Sequence, residues 1–194
     1  VWDLTDMNNV TSRVLRGHVN TVKSIVKLNE TTIVSGSGDN TLRVWDLTDM
    51  DNVTSRVLRG HGHTVMSLMK LNETTIVSGS DDKTLRVWDL TDMNNVTSRA
   101  LEGHTGSVLS VMKLNETTIV SGSSDRTLRV WDLTDMNNVT SRALNGHTNW
   151  VRSVMKLNET TIVSGSSDDT LRVWDLTDMN NVTSRALNGP PGSV

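Results

Sequence analysis

Val87-Trp88-Asp89-Leu90-Thr91-Asp92-Met93 is one of five copies of a single heptapeptide, the others beginning at Val1, Val44, Val130 and Val173. The spacing is 43 residues each time, leaving four full periods and a final 22 residues. Aligned position by position, the four full periods carry one residue type at 32 of 43 sites. Such a period overrides the one or two independent domains that 194 residues would otherwise suggest. A unit this short cannot bury its own apolar face, so neighbouring copies must cover one another.

Within a period the pattern is that of short strands. In the third copy, Ser107–Leu114 is an apolar, β-branched run, and Asn115-Glu116 turns it into a second strand over Thr117–Ser121. Gly122 to Asp125 reads as the next turn, with Gly122 supplying a positive φ and Asp125 bonding its own backbone. Thr127–Asp132 alternates as a third strand, Asp135–Asn138 turns again, and Val139–Leu144 is a fourth strand ending at Gly146-His147. Four strands joined by tight hairpins make a small antiparallel sheet. A row of such sheets buries both faces of each sheet by packing radially, as blades around an axis.

Composition narrows the function classes. The formal charge is −3 with Lys and Arg scattered through every copy, so neither a nucleic-acid stripe nor a polybasic membrane patch is expected. There is no cysteine, which excludes disulfides and thiolate metal sites, and no Phe or Tyr, so the core must be aliphatic with one Trp per copy. No apolar run approaches the roughly 20 residues of a membrane helix and no signal peptide precedes Val1, so a soluble cytoplasmic protein is expected. Gly189-Pro190-Pro191-Gly192 reads as termination.

Gly-His near the start of each unit, Ser-Gly-Ser-x-Asp-x-Thr in its middle and Trp-Asp near its end together resemble the WD-repeat family of β-propellers. The resemblance spans residues 1–194. It implies an all-β propeller of four-stranded blades, and in each blade a buried hydrogen-bonded tetrad of His, Ser, Asp and Trp. The matching residues are His18, Ser35, Asp39 and Trp45 in blade one, and His61, Ser78, Asp82 and Trp88 in blade two. Blade three has His104, Ser121, Asp125 and Trp131, and blade four His147, Ser164, Asp168 and Trp174. Imidazole can donate at one nitrogen and accept at the other, whereas indole only donates, so the set can satisfy itself. Trp2 has no upstream His and Pro190 stands where a fifth would be, giving four complete tetrads.

Four blades alone would need steep angles to close, whereas two chains head to tail give eight blades and no open edge. A homodimer is therefore expected. The outer strand, however, occurs five times, from Val10–Leu15 through Val182–Leu187, and which of these two closes the ring is open at this point.

Of the eleven sites that vary, three are apolar exchanges such as Ile25, Leu68, Val111 and Val154, and one swaps Asn8 for Asp51. The other seven flank the Gly-His and the tetrad Asp, and should share one face of the disc. They supply the candidate partner-binding residues Lys23, Asn40, His63, Met66, Lys83, Leu109, Arg126, Trp150, Arg152 and Asp169. The Asn-Glu and Asp-Met-Asn-Asn turns of the opposite face are nearly unvaried although exposed, which points to recent duplication or deliberate construction. Variation confined to one face instead points to recognition of a protein or peptide. The competing reading is a self-assembling structural unit with no ligand of its own.

Other chemistry has weaker support. His61-Gly62-His63 could suggest a metal pair, but the tetrad claims His61, and no cofactor is implied. Repeated Ser, His and Asp suggest a hydrolase triad, yet the same trio recurs in every copy and must be buried to hold its sheet; no enzyme is expected. Asn9-Val10-Thr11 and Asn29-Glu30-Thr31 fit the glycosylation sequon, though turn formation accounts for both. Trp150, outside the Trp-Asp motif, would be a binding anchor if exposed or would pack over the central channel.

Overall fold

The repeat unit folds into one four-stranded antiparallel sheet, four times over, in a computed structural model that describes residues 1–3 and 11–187. A two-residue hairpin, β1 (Trp2–Asp3) with β2 (Thr11–Ser12), precedes them. Blade one is β3 (Val22–Lys27), β4 (Thr32–Ser37), β5 (Leu42–Asp46) and β6 (Thr54–Leu58). Blade two is β7 (Val65–Asn72), β8 (Thr75–Ser80), β9 (Leu85–Asp89) and β10 (Thr97–Leu101). Blade three is β11 (Val108–Lys113), β12 (Thr118–Ser123), β13 (Leu128–Asp132) and β14 (Thr140–Leu144). Blade four is β15 (Val151–Lys156), β16 (Thr161–Ser166), β17 (Leu171–Asp175) and β18 (Thr183–Leu187). Strands pair in sequence order within every blade, and no helix occurs among the described residues. The Gly-Pro-Pro-Gly tail and Val10 lie outside those residues.

One turn departs from expectation. Gly122 is not a turn residue: it lies in β12, paired with Ser110 and Leu128. Glycine is needed there for approach, because a Cβ would lie 2.8 Å from Val151 Cγ1 of blade four. The positive φ falls instead on the residue after the tetrad Asp, at Asn40 (68°), Lys83 (73°), Arg126 (74°) and Asp169 (65°). A tight turn closed by one left-handed residue joins these two strands, a place glycine or asparagine fills most comfortably. Asp125 does bond its own backbone, its Oδ1 accepting from Thr127 N at 2.9 Å.

The core lies between blades rather than within them. Leu28, Val34, Leu42, Val44 and Leu58 of blade one meet Val65, Leu68, Ile76, Trp88 and Leu90 of blade two. The same positions recur between blades two and three and between three and four. Each side chain buried this way contributes roughly 1.5–3 kcal/mol.

Inter-blade hydrogen bonds also explain the near-invariant exposed turns. Arg56, Arg99 and Arg142 donate to the carbonyls of Asn94, Asn137 and Asn180 in the next blade, and Asp92, Asp135 and Asp178 cap those turns. Lys113 reaches both Glu116 in its own turn and the Leu71 carbonyl of the blade before. These residues are exposed but structurally occupied, so their constancy needs no appeal to duplication alone.

The arc of four blades is open. The innermost strands of neighbouring blades pack together, whereas Val22 and Ile25 of β3 and Met155 of β15 stand exposed at the two flanks. Of the two outer-strand copies, β18 takes the edge of blade four by pairing with β17, whereas β2 pairs, among the described residues, only with β1.

Candidate functional site

In every blade the loop entering the first strand and the turn between the second and third strands are tied together by the backbone. Gly38, Asp81, Ser124 and Ser167 donate to the carbonyls of Thr21, Thr64, Ser107 and Trp150 respectively. The varied loop residues after the Gly-His and the two that flank the tetrad Asp therefore lie together at one end of each blade.

The tetrads are built alike. His61 Nδ1 lies 2.7 Å from Asp82 Oδ2, His61 Nε2 lies 2.6 Å from Ser78 Oγ, and Trp88 Nε1 donates to the same Oγ at 2.8 Å. The corresponding contacts of His18, His104 and His147 fall between 2.7 and 2.8 Å. Trp45, Trp131 and Trp174 donate to Ser35, Ser121 and Ser164 at 2.8 Å. Because an ionised carboxylate can only accept, the proton of a neutral imidazole sits on Nδ1 facing Asp82, and Nε2 accepts the Ser78 hydroxyl proton while the same oxygen accepts from the indole.

Two residues per blade join this network that the four-residue motif omits. Thr41, Thr84, Thr127 and Thr170 donate through Oγ1 to the tetrad Asp at 2.6–2.7 Å. The second serine of Ser-Gly-Ser accepts from the same Asp's backbone N–H, as Ser37, Ser80, Ser123 and Ser166 each do. The regular Ser-x-Asp-x-Thr spacing was the available signal, since alternate residues around a turn point the same way.

Electrostatics follow from these contacts. Burial alone would raise the Asp82 pKa, but hydrogen bonds from Thr84, the Gly62 N–H and His61 outweigh it and hold the carboxyl at about 2. The same competition, won by the same kinds of donor, lowers Asp39, Asp125 and Asp168. Burial pushes the His61 pKa down and outweighs the pull of Asp82, so the ring stays neutral. The blade-two tetrad is thus a neutral imidazole clamped between a carboxylate and a hydroxyl. Ser121 is completely buried, and its hydroxyl oxygen already accepts from Trp131, so a substrate carbonyl cannot reach it. Among the described residues, no three His, Asp or Glu side chains are placed to hold a metal ion.

The candidate partner residues fall into two groups. Lys23, His63, Lys83, Arg126, Trp150, Arg152 and Asp169 are exposed, whereas Asn40, Met66 and Leu109 are half-buried. Asn40 is engaged between blades, its amide donating to the Gly62 carbonyl at 3.3 Å. Trp150 is 45% exposed and is stacked by Arg152, whose guanidinium carbon lies 4.9 Å from the ring centre while its Nε donates to Ser167. This stacking holds the indole in place at the surface.

The model of the WD domain, G-beta repeat, matches residues 9–46, 52–89, 95–132 and 138–175. Among solved structures, the computationally designed Ika4 protein is similar, at 28% identity and a TM-score of 0.71, over 84% of this chain and 96% of that one. No curated protein sequence matches. With all four blades matched and all four tetrads formed from the motif residues, the chain belongs to the WD-repeat family of β-propellers.

Proposed function

We propose that this chain is a protein-interaction scaffold that completes its ring with a second copy of itself, four blades from each. The observation that carries the reading is the match between its two open flanks. On blade four, Met155, Leu157, Leu171 and Leu187 are 38–62% exposed, although their counterparts Met112, Leu114, Leu128 and Leu144 are at most 9% exposed. On blade one, Val22 and Ile25 are 52% and 62% exposed, against 0% and 9% for Val65 and Leu68. One flank is the donor half of the interface found three times inside the chain; the other is its acceptor half.

Polar groups match as well. Ser24 and Ser110 accept from the Leu68 and Val154 amides across interfaces, and Lys113 and Lys156 donate to the Leu71 and Leu114 carbonyls. Their counterparts at the flanks are Ser153 and the Leu157 carbonyl on blade four, and the Ile25 amide and Lys27 on blade one. Joining unlike flanks is a heterologous contact, which closes when the rotation between units divides the circle. Above the ring, the varied residues would present a protein or peptide partner with a surface centred on Trp150 and Arg152. WD-repeat propellers generally act as non-enzymatic scaffolds, which supports this reading over catalysis.

Light scattering on the separated chain tests the ring: a mass about twice the 21.4 kDa of one chain is expected, and a mass of one chain at all concentrations refutes it. A second reading, a self-assembling ring with no ligand, is favoured by the near-identity of the copies and the likeness to a computationally designed protein. Peptides selected from a random library against the ring separate the two. Loss of their binding on Trp150→Ala with Arg152→Ala supports the scaffold; selection that yields nothing specific supports the second reading.

A further inference from the structure

Residues 1–15 and 173–187 are the same sequence except for Val14 against Ala186. The described parts also fold the same way: Trp2 and Asp3 pair with Ser12 and Thr11 as Trp174 and Asp175 pair with Ser184 and Thr183. The described residues of the early copy lie beside blade one where the outer half of a preceding blade would sit. Arg13 reaches Asp51 of blade one at 2.8 Å, repeating the reach of Arg56, Arg99 and Arg142 to the matching turn of the following blade. A Cβ on Gly17 would meet the Arg43 guanidinium at 2.8 Å, and one on Gly60 would meet that of Arg86 at 3.0 Å, so the approach to the next blade is alike. Trp45 is buried on a flank whose inner residues, Val22 and Ile25, stand open.

A second chain docking its blade four on this flank brings its own β17 and β18 to the same place. Building on the ring reading above, we infer that the two copies compete for one position at the junction between chains, that residues 173–187 hold it, and that residues 1–15 are a cap released on assembly. The strand pairing decides the winner. β17 is bonded over five residues to β16 and over five to β18, whereas among the described residues β1 and β2 share two pairs, extended by the reciprocal backbone bonds of Val1 and Arg13. Releasing the later copy also pulls on the turn that carries Asp168 and Thr170, and with it the tetrad of blade four. Releasing the early copy costs at most the β1–β2 pairs, the Val1–Arg13 bonds and the Arg13–Asp51 contact. In the ring, Arg185 of one chain then takes over Asp51 of the other. Asp51 stands where every other copy has Asn, so the acidic residue marks the one turn that changes its arginine.

Two charge reversals, each at an exposed side chain of the full chain, should act in opposite directions. Arg13→Glu weakens the cap and is expected to tighten dimerisation about threefold; Arg185→Glu sets a carboxylate against Asp51 and should weaken it about threefold, the scale of an exposed ion pair. Asp51→Arg should restore the Arg185→Glu dimer. Hydrogen exchange on the full chain, followed from dilute to concentrated, should show amides 11–15 losing protection on assembly while amides 183–187 keep theirs. A dimer indifferent to Arg185→Glu, or one in which 183–187 lose protection instead, overturns the inference and leaves the ring standing. A monomer in every variant overturns both.

Discussion

Leu128 and Leu171 occupy the same place in blades three and four, yet one is fully buried and the other 49% exposed. The two differ in neighbourhood alone, because Thr127-Leu128-Arg129 and Thr170-Leu171-Arg172 are identical in sequence. The comparison separates what a blade owes to its own strands from what it owes to the next blade. Strand pairing and the tetrad are the same in both, so blade four keeps its sheet; what it lacks is the apolar cover that blades two and three give and receive.

The largest test of that division is truncation at matched positions. Leu128→Ala should lower the unfolding free energy by about 3 kcal/mol, the scale of a cavity left in a packed core, while Leu171→Ala should cost the monomer less than about 1 kcal/mol. Measured at concentrations where the chain is dimeric, the Leu171→Ala penalty should grow towards that of Leu128→Ala. Denaturant titrations at two protein concentrations give both numbers. Equal losses in the dilute monomer would break the comparison.

Glycine gives a second matched pair with a smaller effect. A Cβ on Gly122 would meet the Val151 side chain at 2.8 Å and its carbonyl at 3.2 Å, whereas one on Gly165 would meet only Ser153 and Leu171 of its own blade. Gly122→Ala should therefore cost about 2 kcal/mol by forcing blades three and four apart, and Gly165→Ala should be close to neutral in the monomer. Thermal unfolding of the two variants side by side is sufficient to check this.

Protonation acts within blades and should ignore the flanks. His61 is held neutral with its pKa lowered, so the unfolded chain takes up this proton first, and stability falls as pH drops below the ordinary histidine value of about 6.5. The Asp82 carboxyl, at about 2 when folded, adds a further loss as pH falls from about 4 towards 2. A decrease of about 3 °C in the unfolding temperature per kcal/mol lost is expected for a chain of this size, in two steps. Asp82→Asn should shrink the lower step, to which Asp39, Asp125 and Asp168 still contribute, and leave the upper one.

The parts of this molecule visible in its sequence were those repeated by it. The period, the four strands per unit and the tetrad residues each recur four times, and a hydrogen-bonded network leaves its donors and acceptors at fixed spacing. Gly122 was misread because a glycine near a turn looks the same whether it supplies a positive φ or admits a valine from the next blade; only the neighbour distinguishes them. Arg126 could not announce its left-handed backbone, since that conformation is imposed by the turn rather than favoured by the residue. The tie from Arg99 to Asn137 is likewise a relation between units, and reading one unit at a time cannot find it. Among the face residues, Asn40 was grouped with the exposed ones because its engagement with Gly62 also crosses between blades.

The smallest effect tests the finest point of the comparison. Asp51→Asn makes the turn of blade one like those of the other blades, exchanging a carboxylate for the amide that Asn94, Asn137 and Asn180 carry. Arg13 and Asp51 are both exposed, so water screens their attraction and the monomer should lose no more than about 0.5 kcal/mol. Arg56, Arg99 and Arg142 make their inter-blade contact through a backbone carbonyl, which no side-chain change removes. A loss well above 0.5 kcal/mol would mean that the early half-blade is held by this pair rather than by shape. A loss near zero, insensitive to salt, would mean that the turn backbone accepts Arg13 as it accepts the other three arginines, and that Asp51 matters only once a second chain arrives.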